Sequence, residues 1–141
     1  LDRYITRFAA KHEAQLFCEE KSVEQALQDY FCAVATCFTS KDTPAGCFMI
    51  NTSATLAASS KEIANTVKSR HAMQEETLST FLTQRQQRGE IPAHCRPQEL
   101  SQYLSCILQG MSISAREGAS LDKLQSITQT TLRLWPELLK L

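Results

Sequence analysis

Cysteine and histidine are the residues of this chain with the clearest capacity for metal or redox chemistry. The sequence contains six cysteines and three histidines, and both residue types are natural ligands of transition metals. No C-x-x-C pair occurs, and His94 and Cys95 are neighbours in a predicted loop, which suits only one corner of a site shared between chains. We predict no resident metal and leave copper or thiol sensing open as an alternative function. The cysteines are Cys18, Cys32, Cys37, Cys47, Cys95 and Cys106.

The surroundings of these cysteines favour reduced thiols. Most lie among apolar residues, as Cys32 and Cys47 do, where a free thiol packs as a small hydrophobic side chain. The longest apolar stretch, residues 31–38, is far shorter than the roughly 20 residues that cross a bilayer. No secretory signal is visible at the first residues. We therefore expect a cytoplasmic protein without membrane contact.

The motifs that mark common enzyme sites are missing from the sequence. There is no G-x-S-x-G, glycine-rich phosphate loop, H-E-x-x-H or EF-hand pattern. Glu75 and Glu76 point in adjacent directions around a predicted helix and indicate a solvated face. We predict that the chain is not an enzyme.

Charge and length indicate one neutral globular domain. The 141 residues carry 15 basic and 15 acidic side chains, a formal net charge of zero, and 43% are hydrophobic. A chain of this length can bury a substantial core. A DNA-binding surface normally shows a basic patch, and none is evident here, so any DNA would be bound by another segment.

The periodicity predicts an all-α fold, an antiparallel bundle of about six helices. Apolar residues recur at three- and four-residue spacing, and alternating stretches typical of strands are absent. Ser22 and Ser59 each precede a Gln or Glu by three residues, the spacing of a capping box. Gly89, Pro97 and Gly118 mark helix boundaries. The predicted helices cover residues 1–16, 22–38, 46–57, 59–88, 97–117 and 120–139.

Three polar residues interrupt the apolar stripes of these helices. They are His12 in the first helix and His71 and Gln74 midway along the longest one. A buried polar group without a partner costs about 1–3 kcal/mol, so each must bond to neighbouring groups or face a cavity. Apolar walls with a few polar anchors are typical of a small-molecule site, and we predict one that binds a small hydrophobic or amphipathic effector without a cofactor. Its predicted residues are Phe8, His12, Tyr30, Phe31, Phe48, Met49, His71, Gln74, Phe81 and Tyr103.

Three segments resemble the C-terminal region of bacterial regulators of the tetracycline-repressor (TetR) type. They are Pro-Ala-Gly-Cys-Phe-Met-Ile-Asn at 44–51, Gln-Arg-Gly-Glu-Ile at 87–91 and Gln-Gly-Met-Ser-Ile-Ser-Ala-Arg-Glu-Gly-Ala-Ser at 109–120. The resemblance implies a ligand-responsive transcriptional repressor with an N-terminal helix-turn-helix headpiece. We therefore expect residues 1–141 to form a single effector-binding and dimerisation domain, with residues 1–16 ending the helix from the headpiece. Operator DNA would be bound only by that missing headpiece.

The resemblance also implies a homodimer in which the last two helices of each subunit form a four-helix bundle. These helices, at 97–117 and 120–139, are strongly amphipathic and carry more apolar surface than a core of this size readily hides, as a self-complementary interface would. The alternative is that the same residues pack inward. The predicted interface residues are Leu100, Leu104, Leu108, Met111, Ala115, Leu121, Leu124, Ile127, Thr128, Thr131, Leu132 and Trp135.

One further functional alternative is a helical module that binds only protein partners. A filled core would favour that module, whereas an internal cavity of several hundred Å³ would favour an effector sensor.

Overall fold

The structure, a computed structural model, describes residues 10–40 and 61–141. The described residues form helices and loops without a strand, which confirms the predicted all-α class. Helix α1 covers 10–16 of the described part, and α2 spans Val23–Phe38, α3 Lys61–Gln87, α4 Pro97–Arg116 and α5 Leu121–Leu138. The short helix predicted at 46–57 and the Ser59 cap lie outside the described residues.

Local signals place the helix ends where the sequence predicts them. The hydroxyl oxygens of Ser22 and Ser120 accept hydrogen bonds from first-turn amides at 3.1 and 3.2 Å, which satisfies one of the free N–H groups at each helix start. Pro97 occupies the first turn of α4. Gly89 and Gly118 have φ values of 80° and 95°, a left-handed conformation that glycine adopts without steric cost. The helix boundaries are therefore set locally.

The helices pack unequally against one another. The most extensive contacts join α3 to α4 and α2 to α5, with smaller ones between α2 and α4 and between α4 and α5. The core contains the fully buried Leu27, Phe31, Leu104, Leu108 and Trp135, and burial of each such side chain contributes about 1.5–3 kcal/mol. Among the described helices, α2 and α3 are not a closely packed pair.

Most of the residues predicted at the dimer interface belong instead to the core of one subunit. Nine of the twelve are buried within the single chain, because α2 packs on α4 and α5 and because α3 packs on α4. For these nine the inward-packing alternative describes the structure. Leu121, Ile127 and Leu132 are half-buried. The nine buried residues are Leu100, Leu104, Leu108, Met111, Ala115, Leu124, Thr128, Thr131 and Trp135.

None of the helices in the described part of the chain combines the length and hydropathy needed to cross a membrane.

Candidate functional site

A hydrogen bond joins two of the predicted effector residues across the gap between α2 and α3. Gln74 Nε2 donates to the Tyr30 hydroxyl at 3.2 Å. Tyr30 is buried, and Gln74 is half-buried near the middle of α3. The two helices have few direct backbone contacts, so this side-chain hydrogen bond is one of the links between them.

His71 lies one helical turn before Gln74 on the same side of α3. Its Nε2 atom is buried, and it has no hydrogen-bond partner within the part of the chain that the structure describes. Burial lowers the pKa of the imidazole below its ordinary value of 6.5, so the neutral ring is favoured at neutral pH. A buried polar atom without a partner is unfavourable.

His12 is the second buried histidine. Burial lowers the pKa of its ring, and the positive charge of Lys11 lowers it further. His12 is on α1, near the start of the described residues. Two neutral rings, His12 and His71, therefore lie in the helical bundle.

Three other predicted effector residues, Phe31, Phe81 and Tyr103, lie at different places in the described helices. Phe31 is fully buried in the hydrophobic core. Phe81 is buried ten residues beyond His71, which corresponds to roughly 15 Å along the helix. Tyr103 is 39% exposed on α4 and belongs to the outer surface. Phe8, Phe48 and Met49 lie outside the described residues.

Ser105 is a buried polar residue that the sequence patterns did not single out. Its hydroxyl has no hydrogen-bond partner among the described residues, and it lies on α4, the helix that packs most closely on α3. The available signal was a run of serines, with Ser101, Ser105 and Ser112 all on the buried side of an otherwise apolar helix.

A second polar arrangement lies at the far end of α3. Arg85 is only 3% exposed, and its guanidinium donates to the carbonyl oxygens of Lys21 at 2.6 Å and Cys18 at 2.9 Å. The same group forms an ion pair with Glu90 at 3.1 Å and lies 5.3 Å from the centre of the Phe81 ring. Next to it is a groove of about 400 Å³. The groove is lined by Leu16, Phe17, Glu19, Phe81, Gln84, Arg85, Gln87 and Arg88.

His94 and Cys95 serve a structural purpose at the end of α5. His94 Nε2 and Cys95 Sγ lie 2.9 and 3.1 Å from the Leu139 carbonyl oxygen, one of the terminal carbonyls that a helix leaves unsatisfied. Burial raises the pKa of the Cys95 thiol, and burial together with Asp29 raises that of Cys32. The described residues contain no group of three side chains placed to hold a metal ion. Copper or thiol sensing stays an alternative prediction from the sequence.

The exposed side of α4 carries an apolar stripe of its own. Tyr103, Cys106, Gly110 and Ile113 recur at three- and four-residue spacing and are all exposed. Ile113 is 45% exposed, and Leu134 on α5 is 44% exposed. A Cβ atom added at Gly110 would meet no neighbouring atom within 4 Å in the single chain. We call these five residues the outer apolar face.

The comparison with protein families gives a match over most of the chain. The family described as "Tetracyclin repressor-like, C-terminal domain" matches residues 21–131. The chain is also 74% identical over 140 residues to the HTH-type transcriptional repressor ComR of Escherichia coli (strain K12). That alignment covers 99% of this chain and 67% of the relative.

A solved structure has the same fold. It is described as a cysteine mutant of the TetR family transcriptional regulator CifR, complexed with 26-bp double-strand operator DNA. The TM-score is 0.85 at 18% sequence identity, with 96% of this chain and 71% of that chain covered. The predicted resemblance is confirmed, and the matched proteins are transcriptional regulators rather than enzymes. The chain therefore belongs to the TetR family of transcriptional regulators, within which it corresponds to the C-terminal domain.

Proposed function

We propose that this chain is the effector-binding and dimerisation domain of a transcriptional repressor. Operator DNA would be bound by a helix-turn-helix segment outside these 141 residues. The support for repression is the 74% identical relative, an HTH-type repressor of which the chain covers 67%. The neutral charge balance of the chain, 15 basic against 15 acidic residues, agrees with DNA binding elsewhere.

The effector site lies between α2 and α3, at His71, Gln74 and Tyr30. The observation that carries this proposal is the buried Nε2 of His71, which lacks a hydrogen-bond partner among the described residues. The nearby Gln74–Tyr30 hydrogen bond of 3.2 Å provides a second polar group on the facing helix. A small molecule with a hydrogen-bonding group would relieve the cost of the unpaired ring nitrogen.

The polar groups of this site favour an effector that is neutral or weakly acidic. Gln74 and Tyr30 are uncharged at neutral pH, and the lowered pKa of His71 favours the neutral ring. A cation would find no compensating carboxylate in this trio and would carry a desolvation cost. A carboxylate also carries a desolvation cost, but its negative charge would favour the protonated His71 ring, which could then pair with it. The effector is therefore an amphipathic molecule with an apolar body.

Thermal-shift measurements with two probes test the site. We expect 2-naphthoate at saturation to raise the melting temperature by about 5 °C or more, since ligand binding to the folded state alone stabilises it. Tetraphenylphosphonium should have a smaller effect. His71→Ala should abolish the response, whereas His94→Ala should retain it because His94 is exposed and its ring nitrogen bonds the Leu139 carbonyl at the end of α5. An equal response in His71→Ala and the unmodified chain would contradict the proposal.

Dimerisation uses the outer apolar face rather than the buried apolar residues of α4 and α5. The exposed Tyr103, Ile113 and Leu134 offer apolar contact area to a second copy. Gly110 and Cys106 are small and allow two helices to approach closely. An isologous pairing would place the same face on both subunits.

Effector binding regulates the repressor by favouring one arrangement of the dimer. A ligand shifts an equilibrium only by its difference in affinity between two states. The site between α2 and α3 gives such a difference in affinity if the two helices close around the ligand. The α3 residues of the site lie on the central turns of that helix.

A further inference from the structure

The corner between α1 and α2, residues 17–22, is held mainly from outside itself. Within these residues the backbone forms one hydrogen bond, from Lys21 N to Cys18 O at 3.3 Å. Three carbonyl groups of the corner instead accept hydrogen bonds from α3. Arg85 binds those of Cys18 and Lys21, and Arg88 binds that of Glu19 at 3.3 Å. The last turns of α3 therefore hold this corner together with Lys21, whose ammonium group bonds Gln15 on α1 and Asp29 on α2.

Burial makes Arg85 the principal contact. A buried guanidinium is tolerated only when its charge and donors are compensated. Arg85 obtains this compensation from the two carbonyl groups, from Glu90 at 3.1 Å and from the Phe81 ring. Arg88 is 46% exposed, so its hydrogen bond to the corner competes with water. The two arginines lie three residues apart and form a matched pair for comparison.

Apolar packing also joins α3 to the end of α1, and we call this contact between α3, the end of α1 and the corner the junction. Leu16 is fully buried at the end of α1, and the Phe17 ring meets the Phe81 ring edge-on at a centroid distance of 6.3 Å. Phe81 and Arg85 are one turn apart on α3. The end of α1 thus contacts the same face of α3 that continues back to Gln74 and His71.

We propose that Arg85 is the positioning residue through which α3 sets the location of the corner and of α1. Its guanidinium is a fork of fixed geometry that bonds two carbonyl groups of the corner at once, whereas a lysine ammonium is a point charge on a flexible stem. Movement of α3 on effector binding therefore displaces α1 as well. This regulatory meaning rests on the proposed effector site at His71, while the junction itself rests on the contacts of Arg85 alone.

Hydrogen–deuterium exchange on the 141-residue chain tests the junction. In Arg85→Lys we expect amides of residues 10–21 to exchange about tenfold faster, because local opening is easier when a charge-assisted hydrogen bond is lost. In Arg88→Lys the same amides should change less than about twofold. Amides of α5 that exchange through local fluctuations should stay unchanged in both variants, because α5 packs mainly on α2. Exchange at 10–21 within about twofold of the unmodified chain in Arg85→Lys, or an equal increase in α5, would overturn the proposal.

A double-mutant cycle distinguishes coupling from a purely structural role. His71→Leu should change exchange at residues 18–21 by about threefold or more in the presence of Arg85, and by much less in the Arg85→Lys background. Thr80→Ala, an exposed change on α3, should have no effect in either background. Additive effects of His71→Leu and Arg85→Lys would overturn the coupling. If the two substitutions are coupled but no probe raises the melting temperature, the result would support the positioning role of Arg85 and contradict only the proposed effector site.

Discussion

Gln74 on α3 donates a hydrogen bond of 3.2 Å to the hydroxyl of Tyr30 on α2, although these helices are not a closely packed pair among the described elements. His71 lies one helical turn before Gln74 on α3. The hydrogen bond links the two helices by side chains and leaves the His71 Nε2 atom buried without a described partner. This arrangement is the basis of the proposed effector site.

The first prediction concerns the pH dependence of stability. Burial lowers the folded-state pKa of His71 below 6.5, so the unfolded chain binds more protons as the pH falls through that value. The free energy of unfolding should be highest above about pH 6.5 and should decrease towards the folded-state pKa. Urea denaturation at about pH 7.5 and about pH 5.5 measures the difference.

His71→Leu should reduce that pH dependence. Because burial also lowers the pKa of His12, His12→Leu should reduce it in the same direction, and the double variant should show the smallest slope. A slope that persists unchanged in His71→Leu would show that this ring does not titrate as its burial predicts.

The second prediction concerns the subunit interface. Ile113→Glu places a charge on the outer apolar face, where Ile113 is 45% exposed, and should weaken self-association at least about tenfold because an unpaired charge would be buried. Gln28→Glu, an exposed change on α2, should leave it nearly unchanged. Size-exclusion chromatography with light scattering measures the mass. Equal dimer content in both variants would place the interface on another surface.

The third prediction concerns the contribution of Arg85 to stability. Arg85→Met removes the donors to Cys18 and Lys21 and the ion pair with Glu90, and should lower the free energy of unfolding by about 3 kcal/mol. Arg88→Met should cost less than about 1 kcal/mol because Arg88 is largely solvated. Guanidinium chloride denaturation gives both values, and similar losses would mean that burial does not distinguish the two residues.

The fourth prediction concerns the turn between α4 and α5. Gly118 has a φ of 95°, and no atom lies within 4 Å of an added Cβ, so any penalty comes from the backbone. Gly118→Ala should lower the free energy of unfolding by about 1 kcal/mol, and Gly118→Asn by less, because asparagine tolerates this conformation. Thermal denaturation would contradict this account if alanine and asparagine had the same effect.

Much of the fold could be predicted because its signals are local. The Ser22 and Ser120 caps and the left-handed Gly89 and Gly118 depend on residues within a few positions. The predicted family is confirmed by the match over residues 21–131. Local patterns also placed His71 and Gln74 on the inner side of the longest helix, where the structure has them half-buried.

The remaining features depend on distant parts of the chain. Whether Leu104 and Leu108 face a partner or the core is decided by the position of α2, which the amphipathic pattern of α4 does not specify. The bonds of Arg85 reach carbonyl groups 64 and 67 residues away in sequence. A charged residue at a core position of the α3 stripe was the available signal, but its acceptors are backbone atoms that no side-chain pattern identifies.

The most direct test of the effector site is a crystal structure of the chain grown with 2-naphthoate. We expect the naphthyl ring between α2 and α3 and a carboxylate oxygen about 3 Å from His71 Nε2. Binding of the compound on another surface would contradict the proposed site. So would an interior between these helices that is filled by protein side chains, with His71 Nε2 bonded to one of them.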